Sequence, residues 1–268
     1  MRVGAPVPAS RLLHHHLTGP TGAPPLVLGP SLGTSMAVWE PLLPTLARRF
    51  QVLRFDLPGH GRSGAGLLPR AEPGRTTVDD LAALVLDLVD HHGWDGFHYA
   101  GISLGGAIGA HLATHHPDRV RSLAIVCSSA HFGPPDAWRA RADLVRLKGT
   151  GPLLETSPGR WFATPAIADT PLGRTLLGNL ADADPVGYAA CCDALAAYDL
   201  RPELARITAP TLVVGGAQDS ATPLAHAQEL ARGIPHATLE ILACGHLAAE
   251  QPEALQDVLS SQLTSLST

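Results

Sequence analysis

Charge is scarce in this chain. Asp, Glu, Lys and Arg make up 16% of its 268 residues, and the net charge is −5 with histidine neutral. That balance suits neither a broad nucleic-acid surface nor a polybasic membrane face. No apolar run reaches the roughly 18 residues that a bilayer crossing needs. Met1–Ser10 carries one arginine but no apolar stretch or small-residue cleavage pattern, so no secretory leader is expected. Cysteine is limited to Cys127, Cys191, Cys192 and Cys244, without the paired spacing of a metal site. Reduced thiols of a cytoplasmic protein are expected. Nothing repeats at a fixed period, which excludes a solenoid. What is abundant is apolar: 45% of residues are hydrophobic, a globular composition with length for one large domain or a domain carrying an insertion.

Short apolar runs ending in Gly, Pro or Ser read as buried strands at PLVLGP (25–30), QVLRFDLPG (51–59), FHYAGIS (97–103) and SLAIVCSS (122–129). Between two of them, residues 76–93 read as an amphipathic helix. Thr77 and Asp80 form a capping box, Val78, Leu81, Val85, Leu88 and Val89 make one stripe, and Gly93 stops it. Strands alternating with helices imply βαβ units and a mostly parallel sheet, the α/β class. The rhythm breaks over 131–206, which is helix-like and interrupted by Pro134, Pro135, Pro152 and Pro165. Strand patterns return at TLVVGG (211–216) and TLEILAC (238–244), with a helical pattern between them and another after Pro252. The expected organisation is a core in two parts, 1–130 and 207–268, interrupted by a helical cap at 131–206.

Three residues fall at predicted strand ends, where ligand chemistry collects in such sheets. Ser103 lies in Gly101-Ile102-Ser103-Leu104-Gly105, Asp219 in GGAQDS and His246 in ACGHLA. A serine hydroxyl is a weak nucleophile that needs an adjacent base, and an imidazole needs an acid to fix its tautomer. The chain order Ser, Asp, His is that of the α/β-hydrolases. Asp136, after the strand ending near Ser129, is the competing acid; Asp219 is preferred because a Gly-Gly turn connects it directly to its strand. Asp56, in FDLPGHGRS, is expected to order its own turn. An oxyanion hole requires two N–H donors. Leu104, after the nucleophile, supplies one, and the loop LGPSLGTSMAVW (28–39) supplies Ser31, with Leu32 as the fallback because Pro30 alters the turn. The run His14–His16 alternates sides on an extended segment and makes a poor chelate, so a surface strand is expected there. His111, His115 and His116 have helical spacing but no accompanying carboxylate in the sequence, and no metal is assigned.

On these motifs the chain resembles the α/β-hydrolases throughout, and more closely the 3-oxoadipate enol-lactonases. The closer likeness rests on SLGT (31–34) with Trp39, VLRFDLPGHGRS (52–63), GISLGG (101–106), RWF (160–162) and GYAACCDALAAYDLRPEL (187–204). The resemblance implies opening of a five-membered enol-lactone bearing an acetate arm, without a cofactor. It also implies a Trp-x-x-Arg element holding the substrate carboxylate, matched by Trp138 and Arg141, which share a face if 138–146 is helical. Arg139 would then point elsewhere, with Arg146 and Arg160 in reserve. The implied partner is a small acidic lactone, with no nucleic acid and no membrane. The runners-up are another lidded carboxylesterase, a carbon–carbon bond hydrolase acting on ring-fission products, or a ligand receptor that kept the fold and lost turnover.

Overall fold

The computed structural model describes residues 11–264; the leader reading, which falls on Met1–Ser10, lies outside them. Seven strands form one sheet in the order β1-β3-β2-β4-β5-β6-β7. They are β1 (His15–Thr18), β2 (Pro25–Gly29), β3 (Gln51–Phe55), β4 (Phe97–Ile102), β5 (Val120–Val126), β6 (Thr211–Gly216) and β7 (Thr238–Leu242). β1 runs antiparallel to β3 and every other pairing is parallel. β1 contains His15 and His16 of the histidine run, on an edge strand. Strand order reverses around β2, since β3 lies on one side of it and β4 on the other. The loops leaving β2 and β4 therefore emerge side by side, at the position where open sheets of this kind form crevices.

The helices are α1 (Leu43–Leu46), α2 (Val78–His91), α3 (Leu104–His115), α4 (Pro135–Lys148), α5 (Ser157–Trp161), α6 (Pro171–Ala181), α7 (Pro185–Ala197), α8 (Leu224–Gly233) and α9 (Pro252–Thr264). α2 begins as its sequence dictates: Thr77 Oγ1 accepts from the Asp80 N–H while Asp80 accepts from the Thr77 N–H, and the predicted apolar stripe is buried. β4 is buried along its whole length, the pattern of a central parallel strand.

The helices α4 to α7 all lie between β5 and β6. Three of them start with proline, Pro135, Pro171 and Pro185, where the missing N–H costs nothing and φ is already set. α4 and α7 pack along each other, joined by an ion pair between Arg146 and the buried Asp193. Asp193 also accepts from the Gly74 N–H, which ties the loop before α2 to α7. α7 docks on the turn after β3 through two glycines: a Cβ on Gly59 would lie 2.6 Å from the Gly187 Cα, and the Asp184 N–H donates to the Gly59 carbonyl at 2.8 Å. α4 is mounted unevenly. Ala142 and Val145 are buried, whereas residues 134–137 are exposed.

Candidate active site

Ser103 sits on the turn between β4 and α3 with φ +55° and ψ −117°, a conformation that L-residues rarely adopt. The turn is held by the Ser103 N–H donating to the Val126 carbonyl at 2.9 Å and by Ser128 Oγ donating to the Ser103 carbonyl at 2.6 Å. The flanking glycines are steric necessities. A Cβ on Gly101 would fall 2.2 Å from the Gly105 carbonyl oxygen, and one on Gly105 would fall 2.4 Å from the Gly29 carbonyl oxygen. Strand, turn and helix thus approach too closely for any side chain.

Asp219 and His246 arrive on the loops after β6 and β7. His246 Nδ1 stands 2.9 Å from Asp219 Oδ2, with both side chains buried. The carboxylate is held by Thr222 Oγ1 at 2.6 Å and by the N–H groups of Ala221 and Thr222 at 2.8 and 2.9 Å. Burial alone would push the Asp219 pKa up. The His246 contact and the Thr222 donors outweigh it and hold the carboxyl below its ordinary range. Because a carboxylate only accepts, His246 Nδ1 donates to it, which leaves Nε2 with a free lone pair. Ser103 and His246 line one cavity.

The loop after β2 forms another wall, with Ser31 and Leu32 both at the cavity. The Gly105 N–H donates to the Pro30 carbonyl at 3.1 Å, and Trp39 Nε1 donates to the Gly29 carbonyl at 3.1 Å, so this loop is fastened to the start of α3, where Leu104 follows Ser103. Asp56 accepts from the N–H groups of Arg62 in its own turn and of Met36 across the loop, and it contacts His14. Asp136 is exposed at the start of α4 and paired with Arg139. That leaves Asp219 as the acid in contact with a histidine of the cavity.

Trp138 and Arg141 lie one turn apart on α4 and both reach the cavity, with the guanidinium 5.6 Å from the indole centroid. Arg160, exposed at the rim, also lines it. The residue as a whole is exposed but its guanidinium is partly buried, and that desolvation and the neighbouring Arg141 charge push its pKa down, while Tyr188 and Asp219 act the other way. Arg146 is engaged by Asp193 and Asp143 and is not available to a ligand. Several contributors went unassigned in the sequence, Ser157 and Ala221 among them. Thr222 buttresses Asp219; its Asp-x-x-Thr spacing is the local signature of such a turn. Tyr188, buried and stacked on His60 at 5.7 Å, and Phe132 complete the walls. The histidines on α3 depart from expectation, because carboxylates do accompany them. His111 stacks on His115 at 4.2 Å, His111 meets Asp79 at 3.1 Å and His115 meets Glu203 at 3.7 Å. These acids come from distant segments, and among the described residues no group of three or more side chains is arranged to hold a metal.

Residues 24–148 match the family model for the alpha/beta hydrolase fold. A 3-oxoadipate enol-lactonase from Acinetobacter baylyi is 36% identical over 251 residues, spanning 93% of this chain and 92% of that protein. The enol-lactonase crystal structure from Burkholderia xenovorans superimposes with a TM-score of 0.88 at 34% identity, covering 94% of this chain and 96% of that one. A protein from Stutzerimonas stutzeri named as a carbamate hydrolase is 33% identical, over 87% of this chain and 89% of its own. With its strand order, its turn at Ser103 and these relatives taken together, the chain belongs to the α/β-hydrolase family and is a hydrolase.

Proposed function

We propose that this hydrolase opens 3-oxoadipate enol-lactone to 3-oxoadipate, a step of aromatic-acid breakdown in the cytoplasm. The observation that carries this reading is Arg141, stacked on Trp138 in the same cavity as Ser103 and His246, with no acidic side chain among the described residues lining that cavity. An arginine in such a place is provision for an anionic substrate.

In this mechanism His246 Nε2 removes the Ser103 proton as Oγ attacks the lactone carbonyl. Asp219 holds the imidazole and stabilises its protonated form. The N–H groups of Leu104 and of Ser31, or Leu32 beside it, face the developing oxyanion. Collapse breaks the ring C–O bond and expels an enolate, which takes the proton from His246 and becomes the ketone. Water, deprotonated by His246, then attacks the acyl-enzyme, releases the new carboxylate and returns the proton to Ser103.

The test follows loss of enol-lactone absorbance. Arg141→Ala should raise KM for the lactone by the equivalent of about 2–3 kcal/mol, the worth of one charge-assisted pair. The same variant should harm a neutral nitrophenyl ester far less. Equal damage to both substrates would make Arg141 a brace of the cap, and no lactone turnover at all would end the proposal. The carbamate hydrolase relative supports a second reading, in which a carbamate is cleaved instead of the lactone; turnover of a carbamate with none of the enol-lactone would favour it.

A further inference from the structure

Two cations without a counter-ion share this cavity. Of the four arginines on α4 and α5, Arg139 is paired with Asp136 and Arg146 with Asp193 and Asp143. Arg141 and Arg160 face the cavity instead, and among the described residues no carboxylate lines it. Among the described residues neither has an acidic partner within ion-pair distance.

Their mountings differ. Arg141 rides on α4, held to α7. Arg160 rides on α5, which is fastened to the loops that carry Asp219 and His246. The Leu247 N–H donates to the Trp161 carbonyl at 2.9 Å, and Ser220 Oγ reaches the Gly159 carbonyl at 3.5 Å. A Cβ on Gly245 would fall 2.6 Å from the Ala163 nitrogen, so the backbone beside His246 lies directly on the residues after α5. One guanidinium therefore belongs to the cap helix and the other to the frame of the catalytic loops.

We propose that the cavity is a two-point site for short dicarboxylates, with Arg160 as a second anion anchor beside Arg141. The proposal rests on the enol-lactonase reading for the identity of the natural dianion. The lactone brings one carboxylate, and water attack on the acyl-enzyme creates another at Ser103. The product thus carries two anionic ends where the substrate carries one. A dianion relieves the repulsion between the two arginines and links α4 to α5, so product is held more firmly than substrate.

The experiment measures inhibition of neutral nitrophenyl ester hydrolysis at constant ionic strength. Succinate, glutarate and adipate are compared with butyrate, pentanoate and hexanoate. The dicarboxylate of the best length should bind at least about tenfold more tightly than its monocarboxylate. Arg160→Gln should reduce that ratio to about twofold, Arg160→Lys should retain part of it, and Arg141→Gln should weaken both series. Equal inhibition by both series at every length would overturn the proposal in the unmodified protein, even if a variant failed to fold. So would an unchanged ratio in a folded Arg160→Gln protein. Lactone turnover is assayed separately: its absence with the ratio intact sinks the enol-lactone reading alone, and turnover without the ratio sinks the two-point site alone.

Discussion

Ser103 spends backbone strain, on the order of 1–3 kcal/mol, to stand at φ +55° where its hydroxyl reaches the cavity. Its proposed role as nucleophile predicts that Ser103→Ala lowers kcat on the order of a millionfold, with His246→Ala comparable, because the three residues act as a unit. Asp219→Asn should cost less than either and far more than Asp136→Asn. Single-turnover kinetics on the four variants checks the order, and a larger loss for Asp136→Asn would reassign the acid. Asp219 also gives the stability curve a sign. Its folded-state pKa is depressed, so its contribution is complete above the ordinary carboxylate range and is lost as pH falls through the lower folded value. Denaturant titrations should therefore find Asp219→Asn less stable than the parent at pH 7, with the gap closing toward pH 3. A gap that widened on acidification would contradict the assigned network.

At the scale of elements, the β4–turn–α3 unit depends on absent side chains. Gly105→Ala would press a methyl group onto the Gly29 carbonyl. It should cost at least about 1–3 kcal/mol, as is typical of overpacking, and displace the loop after β2. Gly151→Ala, where nothing lies within 4 Å, is the matched control. Chemical denaturation of the pair checks the contrast; similar midpoints would mean that the turn relaxes. This unit was legible in the sequence because its causes are local: a glycine two positions either side of a serine, an apolar run before and small residues after. The α2 capping box was legible for the same reason. Tyr188 on His60, Gly59 against Gly187 and Asp193 holding Arg146 were not. Each joins segments far apart in the chain, and no periodicity encodes which distant residue will face which. Asp79 and Glu203 beside His111 and His115 escaped notice for that same reason.

Across the whole molecule, helices α4 to α7 are tied to the rest by backbone contacts and by side chains, with Asn179 Oδ1 accepting from Ser35 Oγ and Asp193 from the Gly74 N–H, while the Arg146–Asp193 pair joins α4 to α7. The uneven mounting of α4 says where movement beside the cavity is least costly. The half bearing Ala142, Val145 and Arg146 is packed, whereas residues 134–137 are exposed. Gly133 at φ +88° and Gly149 at φ +70° bound the helix. Ligand entry is then expected to need a local melting of one or two turns of α4, with its second half staying docked. Amide hydrogen exchange should show a gradient along α4, fast at 135–141 and slow at 142–148, with a bound dicarboxylate slowing the first half alone. Uniform exchange along the helix would mean that the cap lifts as one body. On the graded picture, admission and release are set by the fraying equilibrium of a few peptide bonds, so residues that never touch the substrate, such as Pro134 and Ala137, set how often the enzyme is open for business.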